Sequence, residues 1–342
     1  MVSCISACAD NIDGNSKKKG TASGDGKKLE IVTTIFPEYD WVKSLVGDAG
    51  EAEITMLLDN GVDLHSFQPT VNDILKISNC DLFIYVGGES DGWVDDVLKE
   101  AKNPNMKVIN LLEALGDAVK TEEIVEGMEH EHDHEDGDDH DHEDGDDHDH
   151  EDGDDHDHDH EHEEEFDEHV WLSLKNASVL CGVITDALCE LDGANAEKYR
   201  ANLASYQAKL SSLDAEYANA VKDAKFKTLL FGDRFPFRYL VDDYGLNYYA
   251  AFAGCSAESE ASFETVVFLA GKLDELELPA VMTIEGANHK IAETIRSNSG
   301  AKDQKILTMD SMQATTSKDV KEGANYLKIM QDNLETLKQA IQ

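Results

Sequence analysis

DGANAEKYRANLASYQAKLSSLDAEYANAVKDA, residues 192–224, carries apolar side chains at Tyr199, Leu203, Tyr206, Leu210, Leu213, Tyr217 and Val221. Spacings of 4, 3, 4, 3, 4 and 4 keep them on one stripe of a helix. At 1.5 Å per residue that helix reaches ~45 Å, more than one small lobe needs. The stretch is therefore expected to run across the molecule as a strut between two lobes.

Strand and helix signals alternate on both sides of it. Upstream, short β-rich runs at 29–35, 52–58, 81–86 and 107–112 are separated by helical patterns at 41–46, 71–78 and 93–101, with Thr70 as N-cap of the second. Asp81-Leu82-Phe83-Ile84-Tyr85-Val86 is a nearly continuous apolar run, as expected of a parallel strand buried on both faces. Downstream, strands are expected at 228–231, 247–252, 280–284 and 305–309. Helices are expected around Tyr239 and at 263–276, 290–298 and 320–341. The fold class is α/β: two lobes of βα units around parallel sheets, joined by a long helix, with a cleft between them. The domain boundaries expected are a tether at 1–28, an N-terminal lobe at 29–115, an insertion at 116–168, the end of the first lobe at 169–191, the linking helix at 192–224 and a C-terminal lobe at 225–342.

The insertion dominates the composition. From His132 the sequence H-D-H-E-D-G-D-D recurs three times, followed by H-D-H-D-H-E-H. Residues 129–168 hold 25 Asp or Glu, no Lys or Arg, and 11 of the 14 histidines. Outside them, 47 acidic residues face 29 basic ones, a net charge of −18 in place of −43. That balance argues against a nucleic-acid partner. No apolar run reaches the length of a membrane span. Alternating imidazole and carboxylate suits many weak, interchangeable cation sites and no packed structure. The accessory low-affinity metal ligands expected are His132, His134, His140, His142, His148, His150, His156, His158, His160 and His162.

Six cysteines in a chain of this length do not make a disulfide framework. Cys181 and Cys189 are eight apart on a helix and do not bridge; whether Cys80 and Cys255 pair depends on the fold. Ile5-Ser6-Ala7-Cys8 has the form of a lipobox, which makes Cys8 the expected lipidation site, and the polar stretch 11–28 follows as a tether. The true N-terminus and signal peptide stay open.

Ligands of open α/β sheets gather beyond the carboxyl ends of the strands. The candidates there are His65, in Gly61-Val62-Asp63-Leu64-His65-Ser66-Phe67-Gln68-Pro69; His169, directly after the acidic run; Asp233 and Arg234; and Asp310. Two imidazoles with one or two carboxylates suit zinc, manganese or iron. Glu258 and Glu260, in the loop Gly254–Glu260, also stand near the cleft. Enzyme motifs are missing: there is no H-E-x-x-H, no Gly-x-Ser-x-Gly and no phosphate loop. An EF-hand alignment of the repeat would put histidine at oxygen-ligand positions, which rules it out.

Four stretches occur in order: His65-Ser66-Phe67-Gln68-Pro69-Thr70-Val71-Asn72-Asp73, Glu168-His169-Val170-Trp171-Leu172, Tyr239-Leu240 with Tyr244-Gly245-Leu246, and Met309-Asp310-Ser311. Together they resemble the zinc/manganese substrate-binding lipoproteins of metal ABC importers, over about residues 29–342. The resemblance implies a periplasmic-binding-type fold whose rigid helix limits lobe motion. It implies metal ligation by His65, His169 and Asp310, and a third histidine just after the strand at 228–231. Gly232-Asp233-Arg234-Phe235 stands there instead. Asp233 is the candidate replacement, and His289 a weaker one. The function implied is a non-enzymatic, extracytoplasmic, lipid-anchored monomer that binds zinc and hands it to an ABC permease and its ATPase. A manganese or iron receptor, or a metal-buffering or adhesin surface lipoprotein, is the alternative.

Overall fold

The computed structural model describes residues 28–128, 165–256, 260–286 and 288–342. The first lobe runs β1 (Leu29–Thr33), α1 (Phe36–Val46), β2 (Ala52–Met56), α2 (Val71–Asn79), β3 (Leu82–Tyr85), α3 (Val94–Lys99), β4 (Lys107–Asn110) and α4 (Leu111–Leu115). Two helices follow the insertion, α5 (Leu174–Leu191) and α6 (Ala196–Lys222). The second lobe runs β5 (Thr228–Arg234), α7 (Arg238–Tyr244), β6 (Asn247–Phe252), α8 (Phe263–Glu275), β7 (Ala280–Ile284), α9 (Lys290–Asn298), β8 (Lys305–Met309), α10 (Ser317–Lys321) and α11 (Tyr326–Ile341).

Each lobe holds one four-stranded parallel sheet, ordered β2-β1-β3-β4 in the first and β6-β5-β7-β8 in the second. In chain order both read second, first, third, fourth. The loop after β2 and the loop after β6 thus occupy matching places, each beyond the carboxyl end of an edge strand. In open α/β sheets that end is where ligands bind.

Local chemistry sets the element ends. Thr70 caps α2 in a reciprocal box with Asp73. Pro37 lies in the first turn of α1, where its missing N–H costs no helical hydrogen bond. The strand expected over 107–112 stops at Asn110, because the Asn110 side chain accepts from Glu113 N and starts α4. Conversely β5 continues past Phe231 to Arg234, with a register shift between those residues. Gly232 allows this: a Cβ there would lie 2.6 Å from the Ala292 Cα of α9.

The 27 residues of α6, ~40 Å long, pack against α1, α5, α7 and α11. Tyr199, Tyr206, Leu210, Leu213, Tyr217 and Val221 are its buried stripe, six of the seven positions expected. One apolar cluster runs from β1 through α5 and α6 to α11, and a smaller one lies between the second sheet and α8 and α9. Hydrogen bonds tie the lobes within the larger one. Trp171 Nε1 donates to the Ser311 carbonyl at 2.8 Å, Tyr326 Oη to the Trp171 carbonyl at 2.6 Å, and Tyr217 Oη to the Met330 carbonyl at 2.6 Å. Among the described residues no helix is long and apolar enough to cross a membrane.

One shared core predicts one unfolding transition. All three tryptophans (Trp41, Trp93 and Trp171) precede α6, so fluorescence follows the first lobe while far-ultraviolet ellipticity follows the whole chain. The two urea curves should coincide. Leu210→Ala, at a position 1% exposed, should lower stability by about 2–5 kcal/mol while keeping them coincident. Separated curves would show two independently folding lobes.

Candidate metal centre

His65 sits in a short turn after β2. Leu64 beside it is fully buried, and Asp63 caps the turn by accepting from His65 N at 3.1 Å. The His65 Nδ1 lies 2.7 Å from Ser90 Oγ. The Ser90 backbone N–H donates to Glu168 Oε1 at 2.9 Å, and Glu168 Oε2 lies 3.5 Å from His65 Nδ1. That carboxylate favours a proton on Nδ1, which Ser90 Oγ accepts, and the inferred tautomer leaves the Nε2 lone pair free.

His169 opens the turn Val170–Leu172, whose three side chains are buried. It is itself wholly buried. One oxygen of Asp167 accepts both its backbone N–H at 2.9 Å and its Nδ1 at 3.0 Å. That carboxylate assigns a proton to Nδ1, and Nε2 is again the free nitrogen. The Asp167 backbone is held in turn, since Tyr239 Oη donates to its carbonyl at 2.8 Å.

The two free nitrogens face each other at 3.4 Å. Converging lone pairs repel, and a proton or a cation between them removes the repulsion. Electrostatics divides the pair. Burial, and then the His169 charge, lower His65 to about 4, so it is neutral near pH 7. Burial also opposes charge on His169, but Asp167, Glu168 and Asp63 outweigh it and hold that ring above its usual range.

Cys255 comes from the second lobe, three residues past β6. Its Sγ and one nitrogen of each imidazole lie within 4.8 Å of one another, the one such group among the described residues. Glu122 Oε1 fixes the loop by accepting from Cys255 N at 2.9 Å. Gly254 lets the loop lie on the imidazole: a Cβ there would be 2.9 Å from the Phe235 carbonyl oxygen and 3.1 Å from His169 Cε1. Burial, and then Glu122, push the Cys255 thiol far above its ordinary value, so it is protonated when the site is empty. Cys80 and Cys255 do not pair; both are free, and Cys80 packs on Met106 Sδ at 3.6 Å.

Arg234 lies in the stretch where the family resemblance leads one to expect a histidine, and it links the lobes. Its Nη2 meets Asp63 Oδ2 at 2.7 Å and its Nη1 donates to the Ser256 carbonyl at 3.3 Å. Asp233 accepts from Arg234 N at 2.9 Å and from Ile284 N at 3.3 Å. Asp310 accepts from Met312 N at 2.8 Å and lines an acidic hollow of about 430 Å³ with Glu285, Asp319, Glu322 and Asp332. Neither Asp233 nor Asp310 belongs to the three-donor group; His289 lies just before α9 and outside it as well. Glu258, Cys8 and the ten repeat histidines named above lie outside the described residues.

Part of the stretch expected as insertion has a defined place. Thr121 and Phe166 form an antiparallel bridge, Glu122 N donates to the Glu165 carbonyl at 2.8 Å, and Asp167 N to that of Lys120 at 2.9 Å. Lys120 pairs with Asp242 at 2.6 Å, and Arg238 with Glu123 at 2.8 Å. The two ends of the His/Asp run are thus joined against the second lobe, beside Cys255.

In the sequence Cys255 reads only as a disulfide partner. Two signals pointed to more: it lies just past a strand end, and no histidine follows β5.

Burial, and then the Glu285 charge, push Asp310 up to about 7. An unfolded aspartate titrates near 3.9, so between roughly pH 4 and 7 the folded chain keeps a proton that the unfolded chain has lost. Its stabilising contribution is present below that window and disappears as pH rises through it. Asp310→Asn should therefore gain stability relative to the parent from pH 4 to pH 8, read as urea midpoints of metal-free protein. A difference that stays flat with pH would contradict the assignment.

The profile of the family described as "Zinc-uptake complex component A periplasmic" matches residues 31–340. The high-affinity zinc uptake system protein ZnuA of Bacillus subtilis is 31% identical over 337 residues, covering 98% of this chain and 93% of that one. The zinc-binding protein AdcA of Streptococcus pyogenes serotype M3 is 31% identical over 311 residues, covering 91% of this chain; the match spans 56% of AdcA, little more than half of its length. The Zn(II)-bound ZnuA-like domain of Streptococcus pneumoniae AdcA superposes with a TM-score of 0.67 at 27% identity, covering 92% of this chain and 99% of that one. The metal-dependent lipoprotein YcdH of Bacillus subtilis gives 0.69 at 26%, with the same coverage. With residues 31–340 and the two-lobed architecture both matched, the chain belongs to the ZnuA family of zinc-uptake binding proteins.

Proposed function

We propose that this protein is an extracytoplasmic receptor that captures one zinc ion between His65 and His169 and delivers it to the permease and ATPase of an ABC importer. One observation carries the reading. Two imidazole nitrogens bound to tetrahedral zinc at about 2.05 Å lie ~3.3 Å apart, and the free nitrogens here are 3.4 Å apart. Their opposite nitrogens are held by Asp167 and Ser90, the outer hydrogen bonds that orient metal-binding histidines. The names of the Bacillus and Streptococcus relatives support zinc over the manganese and iron alternatives.

The shared core and the strut α6 favour small adjustments of the lobes over wide opening. Asp310 is the carboxylate we assign to the remaining coordination position on closure, with Asp233 second to it. Capture exchanges the ion's waters for these side chains; no bond of a substrate is broken, so the protein is not an enzyme. Cys8 would carry the lipid that keeps a monomeric receptor at the membrane. The repeat histidines, tethered to a stem beside Cys255, would raise the local ion concentration.

Zinc titration of the protein lacking residues 129–164 should show one tight ion per chain. His65→Ala or His169→Ala should abolish it, while circular dichroism stays unchanged. Asp167→Asn should weaken it by 10–100-fold, because the proton on Nδ1 loses its charged acceptor. Tight binding that survives both alanine variants would place the site elsewhere.

A further inference from the structure

The stretch where a third imidazole was expected holds Arg234, and its guanidinium is engaged by Asp63 and the Ser256 carbonyl. A cation-holding pair of histidines still needs a third donor, and the second lobe offers one at the matching strand end. His65 follows the edge strand β2 and Cys255 follows the edge strand β6, so the two loops meet across the cleft. We propose that the Cys255 thiolate is the third ligand of the ion, making a two-histidine, one-cysteine site that prefers zinc and other soft divalent cations over manganese. This rests on the reading of His65 and His169 as ligands.

Three observations converge on it. The sulfur is free and belongs to one group with a nitrogen of each imidazole, all within 4.8 Å of one another. A tetrahedral zinc with nitrogen at about 2.05 Å and sulfur at about 2.3 Å sets them ~3.6 Å apart, so an adjustment on the order of an ångström completes the contact. The loop is also built to hold the sulfur there. Glu122 anchors the Cys255 N–H at 2.9 Å, and Gly254 is seated on the His169 ring with no room for a Cβ. On binding, the sulfur–hydrogen bond gives way to a sulfur–metal bond and the proton leaves to solvent. Thiolate favours zinc, whereas manganese prefers oxygen donors. Glu122 is then a positioning residue. It joins the stem of the His/Asp insertion to the loop that carries the ligand.

Cobalt(II), added below one equivalent to the full chain, is the probe. The wild type should show the near-ultraviolet charge-transfer band of a thiolate bound to cobalt, which imidazole and carboxylate do not give. Cys255→Ser should lose the band and bind zinc at least tenfold more weakly, with manganese affinity changed less, so that zinc preference falls. Cys255→His should also lose the band while keeping tight zinc, which separates ligation from folding. A thermal melt of each metal-free variant checks the fold. Glu122→Gln should keep the band and shift its intensity or the zinc affinity. A bound ion at the histidine pair with no band in the wild type would overturn the proposal and leave the receptor reading standing. A band that persists in Cys255→Ser would overturn it too. Zinc binding unaffected by His65→Ala would overturn both.

Discussion

One oxygen of Asp167 accepts two hydrogen bonds from His169, one from its backbone and one from Nδ1. This decides which nitrogen of a wholly buried ring faces the cleft. Ser90, backed by Glu168, does the same for His65. Two lone pairs are thereby held face to face at 3.4 Å, an arrangement that costs energy until something positive lies between them. Much of the surrounding structure serves to hold these rings still. Tyr239 bonds the Asp167 carbonyl, Tyr326 bonds the Trp171 carbonyl, and Trp171 bonds Ser311 of the other lobe. The two rings are thus held in place without an ion, so an ion captured between them would not carry the cost of ordering them.

The architecture explains how two similar lobes make one asymmetric site. Sheets with the same strand order present corresponding loops, and the first lobe fills its loop with His65 and the second with Cys255. Arg234, at the end of β5, forms an ion pair with Asp63 of the first of these loops. The long helix α6 and the apolar cluster that crosses it leave little freedom for the lobes to swing. The likeness to zinc-uptake proteins and the donor chemistry therefore lead to the same reading by separate routes.

The sequence made the architecture legible because its signals were strong. The stripe from Tyr199 to Val221 named the strut, and the apolar runs named the strands within a few residues. Boundaries drifted where tertiary contacts decide them. β5 runs on through Asp233 and Arg234 because its pairing with β6 does not depend on apolar side chains, and β4 ends early because Asn110 caps a helix. His65 stands out as a histidine past a strand end and His169 as the one that directly follows the acidic run. Cys255 does not, since its meaning depends on a loop from the other lobe lying on the His169 ring, and no spacing within one chain records that. Asp233 drew notice by its place after β5, but its carboxylate is taken up by the Arg234 and Ile284 N–H groups.

The central claim is that the ion lies between His65 and His169, and not in the acidic hollow around Asp310 and Glu285. A zinc-edge anomalous difference map from crystals of the zinc-loaded protein tests it most directly. The account predicts one strong peak, about 2.0–2.1 Å from both Nε2 atoms and ~2.3 Å from Cys255 Sγ. A peak over Glu285 and the hollow, with the histidine pair empty, would contradict it.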